Sequence, residues 1–260
     1  MARIDYDERT AVAFKAVREV PRDGLSEWRE AIRRHLHPTP GTTLVDIGAG
    51  TGAFSAAFSD WFGVRVMAVE PSAAMRERIR RTPAIRVLEG DATALPLPDD
   101  SADAAWLSLV IHHIPDLEAA AEEIRRVLRP GAPVLIRQGF PDRYEPVGSL
   151  KQDGIELVRW FPQTARMANT FPTLAETCEA FATAGFRQEA LEQVREIRPA
   201  GLGEFLSQVD TLRHADTTMR NLTEDEFLRG KERLQLAVRE AEESGHEEPR
   251  ANWLDLLVLR

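Results

Sequence analysis

The feature that most constrains this fold is a glycine-rich segment between an apolar strand and a helix. Residues 44–47 predict a short buried strand, and the strand ends in Gly48-Ala49-Gly50-Thr51-Gly52. Glycine has no Cβ atom, so the backbone can turn sharply here and lie close to a bound molecule. The free N–H groups of the following helix, predicted over residues 53–61, favour anionic or carboxylate groups. The segment therefore predicts an α/β protein with a ligand at the carboxyl end of this strand.

Strand-like and helix-like segments alternate along the rest of the chain. Six further strands are predicted, at residues 64–69, 85–88, 104–111, 134–136, 189–197 and 253–259. The last of them could insert beside its predecessor in the sheet. Among the helices, one is predicted over 73–81, one begins after a cap at Asp116, and two begin at capping boxes, at Thr173 and Thr223. This alternation predicts a Rossmann-like α/β fold, with a seven-stranded, mostly parallel sheet and helices on both faces.

Two regions fall outside the alternation. Residues 1–40 contain two segments of helical period, 6–20 and 25–36, and are predicted to form an N-terminal helical lid. Residues 140–172 are irregular and rich in proline, glycine and aromatic residues, as functional loops often are. Together with helices in 201–244, they are predicted to form a cap inserted into the main domain, which spans 41–260.

An acidic residue ends the second strand. Glu70 lies twenty residues beyond Gly50, where a carboxylate can accept hydrogen bonds from the two hydroxyls of a ribose. The glycine segment and this acid together indicate a cofactor that contains a nucleoside.

Two classes of nucleoside cofactor compete at this point. Gly48, Gly50 and Ala53 fit the dinucleotide pattern G-x-G-x-x-[GA], which keeps a nicotinamide-dependent oxidoreductase open. Asp46 favours another cofactor, because its charge would repel a pyrophosphate bound at the same loop.

Several motifs, in order, carry a resemblance to a known family. They are the segments 45–52 (VDIGAGTG), 69–72 (VEPS), 89–92 (EGDA), 109–114 (LVIHHI) and 127–131 (VLRPG). With these motifs the chain resembles the class I S-adenosylmethionine-dependent methyltransferases over residues 44–140. Within that class it is similar to the small-molecule group of ubiquinone and menaquinone biosynthesis enzymes, methyltransferase type 11.

The resemblance implies S-adenosyl-L-methionine as the cofactor and a role for each matching residue. The loop from Asp46 through Gly48, Ala49 and Gly50 to Gly52 would hold the methionine part. Glu70 would bind the ribose hydroxyls. Pro71 and Met75 would flank the ribose or adenine. Asp91 would bind the adenine amino group, and Ala92 would back the adenine ring. The backbone of Leu109 would lie near the sulfonium.

A histidine pair follows the fourth strand. Transfer to an oxygen, nitrogen or carbon atom can need a base, and His112 and His113 are the candidates for it. Adjacent residues that leave a strand point in opposite directions, so we expect one of them, His112, to face the substrate. The alternative is that both are structural, one packed under the next helix and the other capping it.

Other candidates for substrate contact lie at the end of the fifth strand, in the lid and in the cap. Arg137 and Gln138 could face the substrate, or could be paired or solvated polar residues. Tyr6, with Phe14, could close the lid over the cofactor. Trp160 could line an apolar pocket, or pack in a minor core.

Composition and charge favour a small-molecule partner. The net charge is −9, which repels polyanions and argues against nucleic acid. No apolar run suits a membrane span or a signal peptide, and the single cysteine, Cys178, excludes an internal disulfide. No spacing of potential ligands suits a metal. We expect a cytoplasmic protein, monomeric or homodimeric, that binds neither membrane nor metal.

These observations predict a methyltransferase that acts on a small metabolite at an oxygen, nitrogen or carbon atom, in specialised metabolism. One alternative keeps S-adenosylmethionine but uses it in another reaction or as a sensed ligand. A nicotinamide-dependent oxidoreductase is the other.

Overall fold

The computed structural model describes residues 7–18, 22–143, 156–198, 201–245 and 250–260. Within this part of the chain, the strands are β1 (Thr43–Ile47), β2 (Arg65–Val69), β3 (Ile85–Leu88), β4 (Ala104–Ser108), β5 (Val134–Gln138), β6 (Gln188–Arg198) and β7 (Arg250–Leu259). They form one seven-stranded sheet in the order β3-β2-β1-β4-β5-β7-β6.

The first five strands are parallel, and β7 is antiparallel to both of its neighbours. The last strand therefore enters the sheet beside β6, as predicted, and separates β6 from β5. The carboxyl ends of the parallel strands share one edge of the sheet, and the first half of β7 lies at the same edge. The predicted fold class, a Rossmann-like and mostly parallel sheet, is confirmed.

The helices of the described residues are α1 (Glu8–Arg18), α2 (Ser26–Leu36), α3 (Ala53–Phe62), α4 (Ala73–Arg76), α5 (Leu117–Val127), α6 (Glu156–Trp160), α7 (Ala165–Ala168), α8 (Leu174–Thr183), α9 (Leu202–Ala215) and α10 (Glu224–Ser244). The Asp116 side chain caps α5, and both predicted capping boxes form, at the start of α8 and of α10.

Two predicted elements are shorter in the structure. Helix α4 ends at Arg76 rather than near residue 81, because the N–H groups of Arg78 and Ile79 bond to carbonyls only three residues back. This tighter turn carries the Ile79 side chain into the core, where it is 3% exposed. Strand β4 ends at Ser108 rather than at 111, because Leu109 leaves the extended conformation, with φ of 52°.

An apolar core covers each face of the sheet. Alternate residues of each strand point to opposite faces: Leu107 and Ile136 pack with α5 and α8, while Trp106 and Leu135 pack with α2 and α3. Trp28 of α2 meets Trp106 edge to face, with ring centroids 6.1 Å apart. The glycine loop and the ends of β4 and β5 are thus fixed from both sides.

A third apolar cluster joins the two predicted cap segments. Its largest members are Trp160 and Phe161 from the first segment, and Phe205 and Phe227 from α9 and α10. A Cβ atom on Gly230 would lie only 2.1 Å from Phe161, so a glycine is required where these helices meet. The division of the chain into lid, main domain and cap stays a prediction.

No helix in the described part of the chain combines the length and apolar character needed to cross a membrane.

Candidate functional site

The loop after β1 has the shape predicted for a ligand-binding turn. Gly48, Gly50 and Gly52 all have positive φ, of 68°, 56° and 83°. A Cβ atom on Gly48 would lie 2.4 Å from Cγ2 of Val110, which follows β4. The loop therefore depends on glycine for its conformation and for its close approach to the β4 end.

Glu70 is fixed by backbone donors on two segments. Its Oε2 accepts a hydrogen bond of 2.9 Å from the Gly50 N–H, and its Oε1 accepts one of 2.9 Å from the Ser72 N–H. The side chain is 6% exposed, and burial raises its pKa although these two donors oppose the shift. Each carboxylate oxygen keeps a second lone pair, so the pair of oxygens can still accept two hydroxyls.

Asp46 is a buried carboxylate near the end of β1, two residues before the glycine loop. It is 2% exposed, and Oδ2 accepts a hydrogen bond of 2.5 Å from the Ser55 hydroxyl at the start of α3. Burial, with a smaller contribution from the negative charge of Glu70, raises the pKa of Asp46 to about 7. The described residues give it no cationic partner, so the site fits the ammonium group of a bound amino acid.

The other predicted cofactor residues lie around this loop. Met75 is buried in α4, and Pro71 is exposed beside it. Ala92 is 7% exposed and packs against the core. Asp91 is exposed, and its Oδ1 accepts hydrogen bonds from the N–H and hydroxyl of Thr93, at 2.8 and 2.7 Å. The roles of these four residues toward a cofactor stay predictions.

Leu109 has a backbone conformation that its sequence does not signal. It lies in the left-handed region although it has a side chain, which costs on the order of 1–3 kcal/mol. Its N–H donates to the carbonyl of Arg137 at 2.8 Å, which ties the end of β4 to β5. Backbone strain of this kind clusters at functional sites, and here it directs the chain away from the sheet toward the histidine pair.

His112 and His113 lie in a single 3-10 turn, Ile111–His113. Their ring centroids are 4.1 Å apart, so the expectation that they point in opposite directions is wrong. The physical reason is that the chain is no longer extended after Leu109. His112 is 8% exposed and stacks on Phe171, with centroids 4.0 Å apart and an interplanar angle of 13°. A role for either ring as a base stays a prediction.

Arg137 faces the interior rather than an open pocket. Its guanidinium forms a buried ion pair with Glu196 of β6 and a hydrogen bond of 3.0 Å with the Ser108 hydroxyl. It also lies over the rings of Trp28 and Phe54, at 5.2 and 5.3 Å. These contacts favour a structural role over the predicted contact with substrate.

Trp160 is likewise placed by packing. It is 7% exposed within the cap cluster, and its carbonyl accepts hydrogen bonds from Arg233. This position favours the minor core over a substrate pocket. Tyr6 lies outside the described residues. Phe14 of α1 lies near the glycine loop, 3.9 Å from where a Cβ atom of Gly50 would be.

Sequence reasoning missed Asp255. This residue lies on β7 directly opposite Gln138, the last residue of β5, and both are buried. The sequence does contain a signal for it, because Asp255 is an acidic residue inside the strongly apolar final strand. In the described residues, no group of three or more potential ligands is placed to hold a metal ion.

Comparison with known proteins agrees with this geometry. Residues 45–136 match a family model described as a methyltransferase domain. A demethylmenaquinone methyltransferase of Renibacterium salmoninarum is 30% identical over 197 residues, which are 70% of this chain and 82% of that protein. One of Corynebacterium kroppenstedtii is 33% identical over 183 residues, 68% of this chain and 75% of the other.

Solved structures share the fold. A protein of Anabaena variabilis assigned as a methyltransferase of an antibiotic biosynthesis pathway has a TM-score of 0.71 and 24% identity, covering 93% of this chain and 98% of its own. A geranyl diphosphate C-methyltransferase of Streptomyces coelicolor, bound to S-adenosyl-L-homocysteine, has a TM-score of 0.54 and 18% identity, covering 90% and 76%.

The relatives decide between the two cofactors that the glycine pattern left open. The cofactor is S-adenosylmethionine, which the buried Asp46 and the fixed Glu70 suit. The chain belongs to the class I S-adenosylmethionine-dependent methyltransferases.

Proposed function

We propose that this enzyme methylates a carbon atom of a small metabolite that carries a hydroxylated aromatic ring. The observation that carries this acceptor class is the similarity to two demethylmenaquinone methyltransferases, which extends over 82% and 75% of their lengths. Methylation of oxygen or nitrogen is the less favoured alternative. A place in specialised metabolism stays a prediction.

Two carboxylates beside the glycine loop would hold the cofactor by charge and hydrogen bonds. Asp46 would bind the ammonium group, and Glu70 would bind the ribose hydroxyls. The cofactor supplies a methyl group on a positively charged sulfur, which leaves as a neutral thioether. The methylated ring carbon then gives up its proton, for which His112 is the candidate base. The chain therefore needs mainly to align the acceptor and exclude water, and alignment alone can lower the barrier by roughly 7–11 kcal/mol.

The acceptor would enter over the carboxyl ends of β4 and β5 and the amino-terminal half of β7, which runs antiparallel to β5. The strained Leu109 and the stacked His112 lie at the β4 end, and α1 approaches the glycine loop through Phe14. We infer that α1 and the cap cluster close over the bound molecules, and that the protein works as a monomer or homodimer on small molecules.

A labelled-methyl assay tests this proposal. The purified protein is incubated with S-adenosylmethionine that carries a labelled methyl group and, in turn, with 1,4-dihydroxynaphthalene (the reduced form of 1,4-naphthoquinone), catechol or an aromatic amine. We expect S-adenosylhomocysteine and a ring-methylated product with the naphthalene compound. Label on oxygen or nitrogen would contradict carbon transfer. Cofactor binding without turnover of any acceptor would favour a non-methylating or sensing role.

A further inference from the structure

Asp255 is a buried carboxylate at the edge of the sheet where the acceptor would enter. Its side chain has 0% exposure, and neither carboxylate oxygen has a hydrogen-bond donor among the described residues. Among the described residues, the cation that pairs with it is the Arg143 guanidinium, whose Nε lies 3.6 Å from Oδ1. That distance is too long for a hydrogen bond. Burial raises the pKa of Asp255, and Arg143 opposes the shift.

A second buried acceptor without a donor lies on the neighbouring strand. Gln138 pairs with Asp255 across β5 and β7 and is 1% exposed. Its Nε2 donates to the Gly139 carbonyl at 3.3 Å, while Oε1 has no donor within the described part of the chain. Three acceptor oxygens on two residues that pair across β5 and β7 are therefore without donors. Buried polar groups in proteins nearly always have a hydrogen-bond partner from the protein, a water or a ligand.

The position of this pair relates it to the cofactor loop. Strand β5 lies between β4 and β7, so Asp255 is two interstrand spacings, about 10 Å, from the end of β4. Arg137, the residue before Gln138, accepts the N–H of the strained Leu109. Asp255 and Gln138 share the face of Leu257 and Ile136, which α5 and α8 cover.

We propose that Asp255 and Gln138 form the polar end of the acceptor site, where their oxygens accept hydrogen bonds from a hydroxyl group of the acceptor. This inference rests on the proposed function. The polar atoms of this set that have no partner among the described residues are all acceptor oxygens, so the set selects a donor. The Arg143 guanidinium beside Asp255 disfavours a cation, which leaves a neutral hydroxyl as the favoured partner.

A purely structural role makes a different prediction. If Asp255 serves to anchor Arg143, then loss of its charge lowers stability and leaves acceptor binding unchanged. If Asp255 binds the acceptor, its buried charge destabilises the protein that has no acceptor bound. Removal of that charge then leaves stability unchanged or raises it.

The experiment compares two probes of similar shape in the presence of S-adenosylhomocysteine. 1,4-Dihydroxynaphthalene has the hydroxyls, and 1,4-dimethylnaphthalene lacks them. Calorimetry gives the ratio of their dissociation constants for the wild type, Asp255→Asn, Asp255→Leu and Gln138→Leu. The control is Asp60→Asn, an exposed carboxylate that pairs with Arg80 at the end of α3.

We expect the wild type to prefer the dihydroxy compound and each site variant to lose roughly 10- to 100-fold of that preference. Asp60→Asn should keep the preference, and all variants should bind S-adenosylhomocysteine as the wild type does. Unchanged preference in the site variants, a lower melting temperature of Asp255→Asn with intact binding, or a wild type without preference would overturn the inference. Turnover is measured separately and decides the proposed function, whatever the binding ratio shows.

Discussion

The carboxylate of Glu70 accepts a hydrogen bond of 2.9 Å from the N–H of Gly50, twenty residues earlier in the chain. The contact explains why this spacing indicates a cofactor site. Strands β1 and β2 are parallel neighbours in register, so the segments that follow them meet at one edge. Glu70 therefore fixes the loop and presents itself to the ligand at the same time.

Replacement of Glu70 should weaken cofactor binding. In Glu70→Gln the NH2 of the side-chain amide would replace one carboxylate oxygen and face the N–H of Gly50 or of Ser72. One of these two backbone donors would therefore lose its acceptor. We expect the dissociation constant of S-adenosylmethionine to rise roughly 10- to 100-fold, as measured by calorimetry. The matched change Glu192→Gln, at a carboxylate on β6 that pairs with Arg34, should leave it unchanged. Equal affinities of both variants would contradict the role of Glu70.

Cofactor affinity should depend on pH through Asp46. Burial raises its pKa to about 7 in the free protein, whereas an ammonium ligand favours the charged form. Below pH 7 binding must therefore release a proton from Asp46. The affinity for the cofactor should then fall by up to about tenfold for each unit by which the pH is lowered. Calorimetry in two buffers of different ionisation enthalpy measures that release. A flat affinity between pH 6 and 8 would rule out this contact.

The same shift affects stability. The folded state holds the Asp46 proton up to about pH 7, while an unfolded aspartate loses it near its ordinary value of 3.8. Stability from this group is therefore greatest at low pH and declines as pH rises between those values. Asp46→Asn should remove this part of the pH dependence in urea unfolding.

A comparison of alanine substitutions at Gly63 and Gly48, which have similar φ, distinguishes the cost of backbone strain from the cost of a steric clash. Gly63→Ala places a Cβ atom at φ of 65° with no atom within 4 Å, so it should cost only the strain, about 1–2 kcal/mol. Gly48→Ala adds a clash with Val110 at 2.4 Å. It should lower stability further and weaken cofactor binding. Urea unfolding and calorimetry measure both effects, and Val110→Ala should partly rescue Gly48→Ala but not Gly63→Ala.

The elements that the sequence predicted well depend on local patterns. The glycine loop, the Asp116 cap and the capping boxes are each set by residues within a few positions of one another. The strand alternation then leads to the parallel sheet because the crossover connections permit few arrangements. Glu70 could be assigned for the same reason, since a fixed spacing separates it from the loop.

The features that were missed depend on distant contacts. Leu109 adopts a positive φ because Arg137 and the following turn hold it there, and nothing in its own side chain signals this. The histidine rings lie side by side as a consequence. Asp255 meets Gln138 only because β7 enters the sheet next to β5, and a strand pattern does not specify the register of that pairing.

The Arg137–Glu196 pair distinguishes a structural arginine from a substrate ligand. Both side chains are almost fully buried, and Arg198 also pairs with Glu196 at 2.9 Å. Glu196→Gln removes the negative charge that faces the buried Arg137 guanidinium, which should cost about 3–5 kcal/mol in urea unfolding. The double replacement Arg137→Met with Glu196→Leu removes the two most deeply buried charges and should cost less than the single change, because the Arg198 side chain that remains is 17% exposed. Because the pair packs against Trp28 and Phe54, the double variant should keep the KM for the acceptor. A large rise in KM with little change in stability would instead assign Arg137 to the substrate.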